Sequence, residues 1–156
     1  MKGSGVSFFA WSDSMRVGIP LIDEDHEIII RLNIRLQESL ERCDDARVLT
    51  GICRRLIVFN EFHFRREERI MEACAYPHLE RHRDDHEQFL AGFQTFMDRY
   101  AVHPDRIVLR EILSYVREWV QQHVLVEDAV MGRHVARHHH QCAQQAAQAL
   151  GRLDLR

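Results

Sequence analysis

Four stretches of the chain place apolar residues every three or four positions, the period of a helix with one buried face. The first starts at Pro20 and steps through His26, Ile29, Asn33, Leu36 and Leu40, with Asp23 as its expected cap. The second covers about residues 47–74 and steps through Ile52, Leu56, Phe59, His63, Glu67, Ile70 and Cys74. The third opens after Tyr76-Pro77, where proline suits a first turn, and carries Leu79, His82, His86, Phe89, Phe93 and Phe96. The fourth carries Leu109, Ile112, Val116, Trp119, Val120 and His123, with Gly132 as its expected end. Each stretch is long enough for a helix of about 30 Å. The breaks, at Asp44-Asp45, Tyr76-Pro77 and residues 102–105, are short, and short connections join antiparallel neighbours. The pattern predicts an all-α protein: an up-down-up-down antiparallel four-helix bundle with an irregular N-terminal arm over 1–19. A C-terminal helical tail follows over 133–156. A length of 156 residues fits a single domain, with its core at about 11–132.

The stripes that should face the core are not purely apolar. They hold His26, His63, Glu67, His82, His86 and His123, and Asp128 follows close behind. His63 and Glu67, like His82 and His86, are four apart and share a helix face. A lone buried histidine is usually a satisfied core residue, and one H-x-x-x-H pair arises easily by chance. Here every helix brings at least one such residue to the inner face. Two buried carboxylates without partners would cost several kcal/mol each, and nearby cations remove that cost. Imidazole with carboxylate suits iron, zinc, copper or nickel. Seven ligands are too many for one tetrahedral ion and suit two ions sharing carboxylates. His123 and Asp128, five apart, do not share the face of a regular α-helix. That spacing predicts a π-bulge within 124–127 or a side chain reaching sideways.

Composition narrows the function classes. A net charge of −3 lacks the basic excess of a nucleic-acid binder. No stretch approaches a membrane span, and the first eleven residues lack a secretory pattern. A soluble, cytoplasmic protein is the expectation. Cys43, Cys53, Cys74 and Cys142 form no C-x-x-C pair and read as reduced thiols. Phe64, Trp119, Val120, Val124 and Ile29 sit beside the candidate ligands in sequence, where they would keep water from a metal centre. No general base or nucleophile accompanies them, which favours binding over substrate chemistry. Glu68 points about 100° from Glu67 and reads as solvent-facing or ion-paired. His78 reads as exposed or as a support behind a ligand, His103 as a loop residue, and His134 with His138 as a solvated tail or an adventitious surface site.

The ordered set of motifs resembles the hemerythrin family. Its pieces are Trp11, Val17-Gly18-Ile19, Ile22-Asp23-x-x-His26 with Asn33, and His63-Phe64-x-x-Glu67-Glu68-x-x-Met71. Tyr76-Pro77, His82-x-x-x-His86 and Trp119-x-x-x-His123-x-x-x-x-Asp128 complete it. The resemblance implies a non-haem di-iron centre, oxo- or hydroxo-bridged, that binds O2 reversibly for storage, delivery or buffering. It implies that His82, His86 and His123 hold one iron and His26 and His63 the other, which keeps an open position. Glu67 and Asp128 would bridge. Asp25 stands where the family often has glutamine, and Val124 where isoleucine is usual. Other readings are an O2 or redox sensor acting through a separate partner, a di-iron oxidoreductase acting on peroxide or nitric oxide, and a structural zinc bundle. A separate reductant or acceptor protein is expected, as is a monomer or weak oligomer.

Overall fold

The structure, a computed structural model, describes residues 10–138. Phe8, Phe9 and the expected tail from residue 139 onward, with His139, His140 and Cys142, lie outside the described residues. Helix α1 spans Pro20–Glu41, α2 Ala46–Ala73, α3 Leu79–Val102 and α4 Arg106–Trp119. A π-helical segment, Val120–Asp128, continues α4 without a break into α5, Ala129–Arg137. α1 packs on α2, α2 on α3, α3 on α4, and α4 back on α1, which closes the ring of a four-helix bundle. Among the described residues no helix is long and apolar enough to cross a membrane.

The helix ends follow from local chemistry. Asp45 caps α2 by accepting the Val48 N–H at 2.9 Å, and Asp105 caps α4 by accepting that of Ile107. α1 starts on proline after Ile19, with no side-chain cap. Asp23, the expected cap, instead lies inside the first turn and accepts the buried N–H of Val17 at 2.7 Å. It ties the N-terminal arm down rather than starting the helix. α1 and α2 both end in a doubly bonded reverse turn. Asp44 N–H bonds Ser39 O and Cys43 N–H bonds Leu40 O, while Tyr76 N–H bonds Met71 O and Ala75 N–H bonds Glu72 O. The turning residues, Cys43 (φ 59°) and Ala75 (φ 49°), are left-handed without being glycine.

The main core fills the half of the bundle around Leu36, Leu56, Phe93, Leu109, Ile112 and Val116, all fully buried. Smaller clusters under the N-terminal arm join Val17, Ile22 and Ile70, and join Met71, Tyr76 and Met131. Two sequence expectations change here. Phe59 is only partly buried, and its neighbour Asn60 takes the inner position, donating to Leu56 O at 2.7 Å. Both flank the face set by residues 52, 56, 63, 67 and 70, about 100° apart on its two sides, and the packing of the bundle brings Asn60 inward. Gly132 does not end the fourth helix; it sits inside α5, where the Val17 carbonyl occupies the place a Cβ would take. Lack of a side chain there serves close approach of the arm.

Candidate metal centre

Between the main core and the arm, all four helical rods turn polar side chains inward. His26 comes from α1, His63 and Glu67 from α2, His82 and His86 from α3, and His123 and Asp128 from the π segment. All seven are at most 3% exposed. The bundle thus brings together every residue of the expected ligand set. The π geometry spans the whole of Val120–Asp128, wider than the single bulge expected. Bonding from i to i+5 brings residues five apart to one face, so His123 Nε2 lies 3.3 Å from Asp128 Oδ1.

The two carboxylates divide their oxygens between two groups of imidazoles. Glu67 Oε1 is 3.7 Å from His26 Nε2 and 3.5 Å from His63 Nε2, while Oε2 is 3.6 Å from His82 Nε2 and 3.2 Å from His86 Nε2. Asp128 Oδ2 is 3.3 Å from His26 Nε2, and Oδ1 is 3.2 Å from His82 Nε2. Two subsites result. One gathers three imidazoles, with His123 Nε2 at 3.0 Å from His82 Nε2 and 3.1 Å from His86 Nε2. The other gathers two, His26 and His63, whose rings meet edge-on at 4.8 Å. Ligand atoms within each four-residue group, Glu67 with His82, His86 and His123, and His26 with His63, Glu67 and Asp128, lie within 4.8 Å of one another.

Orphaned polar atoms test the fit to a cation. All four oxygens of Glu67 and Asp128, and both nitrogens of His26, are buried without a hydrogen-bond partner. Such groups are costly unless a charge answers them, and two cations between the subsites would answer all four oxygens. Without cations, protons do that work. Burial opposes a charge on His26 and His82, but the carboxylates of Asp128 and Glu67 outweigh it and push both rings up to about 10. His86 is raised as well, burial again losing to Glu67 and Glu68. His123 is pushed down to about 3, mainly by burial. Burial raises the Glu67 carboxyl, yet His63 and the other rings hold it well below the usual range; Asp128 is lowered in the same way, against burial and the Glu67 charge.

Aromatic and branched side chains enclose the cluster. Phe64 stacks on His86 with centroids 3.8 Å apart, and Trp119 stacks on His123 at 4.0 Å. Val120 and Val124 share a core cluster with Phe64 and Trp119, and Ile29 is buried on α1. Glu68, expected to face solvent or an ion pair, has a more specific place: its Oε1 accepts the His86 Nδ1 proton at 2.9 Å. That bond sets the tautomer and turns Nε2 toward the cluster. Sequence reasoning missed it because 100° from the core face of α2 points toward α3, not into water. Asn33 donates from Nδ2 to Ile29 O at 2.8 Å, and its Oδ1 is buried without a hydrogen-bond partner. His78 and His103 are exposed at the two ends of α3. His134 Nε2 donates to Cys74 O at 3.0 Å, and His138 Nδ1 donates to His134 O.

A family model described as the Hemerythrin HHE cation binding domain matches residues 17–135. A bacteriohemerythrin of Clostridium acetobutylicum is 26% identical over 123 residues, covering 77% of this chain and 95% of its own. One of Stenotrophomonas maltophilia is 26% identical over 143 residues, 90% of each chain. Myohemerythrin-1 of Phascolopsis gouldii is 24% identical over 123 residues, 77% of this chain and 88% of its own. The matched span contains all seven inward-facing residues of the cluster, and the chain belongs to the hemerythrin family of cation-binding domains.

Proposed function

We propose that this protein binds O2 reversibly at a non-haem di-iron centre held by His26, His63, Glu67, His82, His86, His123 and Asp128. The observation that carries the reading is the asymmetry of the two subsites. Both receive one oxygen from Glu67 and one from Asp128, but one has three imidazoles and the other two. The two-histidine side is one protein ligand short, which is what a small exogenous ligand needs. Two ferrous ions would supply the electrons that bind O2. The rest of the task falls to the chain. Glu67 and Asp128 hold a fixed separation between the subsites. Phe64, Trp119, Val120, Val124 and Ile29 exclude water and bulk anions, which protects a reduced centre. Glu68 holds the His86 ring in one orientation. The absence of a substrate-orienting group from this enclosure supports carriage, storage or buffering of O2 over turnover of a substrate. A separate reductant would return the oxidised protein to its working state.

The test is optical. The iron-loaded, reduced protein is expected to show a visible charge-transfer band in air that bleaches under argon and returns in air. His63→Ala is expected to lose that band while keeping the far-UV circular dichroism of the helices. A loaded protein whose spectrum ignores oxygen, or a His63→Ala variant that binds O2 normally, would overturn the assignment.

A further inference from the structure

A second carboxylate stands behind the two-histidine subsite. Asp25 precedes His26 in α1, and its side chain is only 3% exposed. Arg66, from α2, reaches both its oxygens, with Nη1 3.0 Å from Oδ1 and 3.3 Å from Oδ2. The guanidinium lies over the Phe62 ring at 4.1 Å, which covers the outer side of the pair. Asp25 Oδ2 in turn lies 3.5 Å from Nδ1 of His63. That nitrogen is buried and has no hydrogen-bond partner. Its ring therefore sits between two carboxylates: Glu67 in front of Nε2 and Asp25 behind Nδ1. At 3.5 Å the rear contact is longer than a hydrogen bond, so it acts through charge and ring orientation.

We infer that Asp25, braced by Arg66, is a positioning residue for the His63 side of the centre and sets how tightly that one subsite holds its ion. The inference rests on the dinuclear reading above. A carboxylate behind an imidazole orients the ring and makes the facing nitrogen a stronger donor. A buried carboxylate is costly without a partner, and Arg66 supplies one from three residues beyond His63 on the same helix. The same construction recurs once on the other side of the cluster. Glu68 stands behind His86, and the Nε of Arg83 approaches Glu68 at 3.6 Å. Each subsite thus has one imidazole backed by a carboxylate that an arginine restrains. His26 has no such support at either nitrogen, which makes the Asp25–His63 contact the rear support of its subsite. Asp25 and Arg66 touch no imidazole of the three-histidine group, so their influence is confined to one of two ions.

The metal-free full chain, titrated with Co2+ and read by visible d–d absorption and chelator competition, tests this. The wild-type chain is expected to take up two ions. Asp25→Ala should weaken one of them about tenfold and leave the other unchanged, matching the site that His63→Ala removes. Asp25→Asn, which keeps shape and an acceptor oxygen, should recover part of the loss. Arg66→Ala should weaken the same ion, and the double variant should be no weaker than Asp25→Ala, because Arg66 acts through Asp25. Equal weakening of both ions, or no weakening in Asp25→Ala and Arg66→Ala alike, overturns the inference. Should Asp25→Ala fail to fold, Asp25→Asn and Arg66→Ala decide the matter by the same criteria. Failure of the wild-type chain to bind a second ion would instead strike the dinuclear reading, so the two failures are distinguishable.

Discussion

Single residues in this protein are constrained by what lies behind them as much as by what they face. Gly132 is the clearest case. Alanine is favoured over glycine in a helix by about 1 kcal/mol, so Gly132→Ala would stabilise an isolated α5. In the bundle its Cβ would occupy the position of the Val17 carbonyl. Val17 cannot easily move, because Asp23 holds its N–H at 2.7 Å. The clash therefore outweighs propensity, and Gly132→Ala is expected to cost about 1–3 kcal/mol in urea denaturation. A variant at least as stable as the wild type would show that the arm is free to shift. Cys53 illustrates the opposite case: burial pushes its thiol up to about 12, which keeps it an inert core side chain.

At the scale of elements, the ends of α1 and α2 decide where the next helix begins. Both turns need a left-handed residue and both use one with a Cβ, Cys43 and Ala75. A left-handed residue other than glycine is strained by about 1–2 kcal/mol. Glycine removes the strain and gives some of it back as unfolded-chain entropy. Ala75→Gly, at an exposed position, is therefore expected to gain about 0.5–1 kcal/mol, seen as a higher thermal midpoint of the metal-free protein. A lower midpoint would mean that Ala75 makes a contact worth more than the strain. The turn matters to the site because Tyr76 follows it directly into the core, and α3 then carries His82 and His86 inward. The π segment does the equivalent work in the fourth rod, trading regular bonding for a shared face of His123 and Asp128.

The whole molecule carries a buried charge cluster whose balance depends on pH. His26 and His82 rise from 6.5 to about 10 on folding, and His86 rises with them. A raised histidine contributes stability that is complete below its unfolded value of 6.5 and is lost as pH rises through the folded value. His123 works in the other direction. It is pushed down to about 3, so the unfolded chain takes up a proton below 6.5 that the folded chain refuses, and stability falls with pH from there. Glu67 and Asp128, both lowered, lose their contribution as pH falls through the carboxylate range. The metal-free protein is thus expected to be most stable near its unfolded histidine value of 6.5 and weaker on either side. Thermal melts from about pH 4 to about pH 10 check this; a midpoint still rising toward the alkaline end would contradict it. Cations must displace the same protons, so metal binding should release protons and tighten as pH rises. Calorimetry in buffers of different ionisation enthalpy counts them.

Helix number, order and inner faces were legible in the sequence because apolar spacing is a local property, set by 3.6 residues per turn. The cluster was legible for the same reason: its seven residues lie on, or one irregular turn from, those faces. Five-residue spacing left a π-bulge or a sideways reach as the ways to bring His123 and Asp128 together, and the structure uses π geometry. Which residues stand behind the clustered imidazoles was decided only by tertiary packing. Periodicity along a single helix gives Glu68, Asp25 and Arg66 no part in the cluster. They meet His86 and His63 because α2 lies against α3 and α1 at a particular rotation, which no single helix specifies. Gly132 likewise looked like a helix end until the arm was seen to cross it. Periodicity tells a residue which way to face, and only the neighbouring chain decides what it finds there.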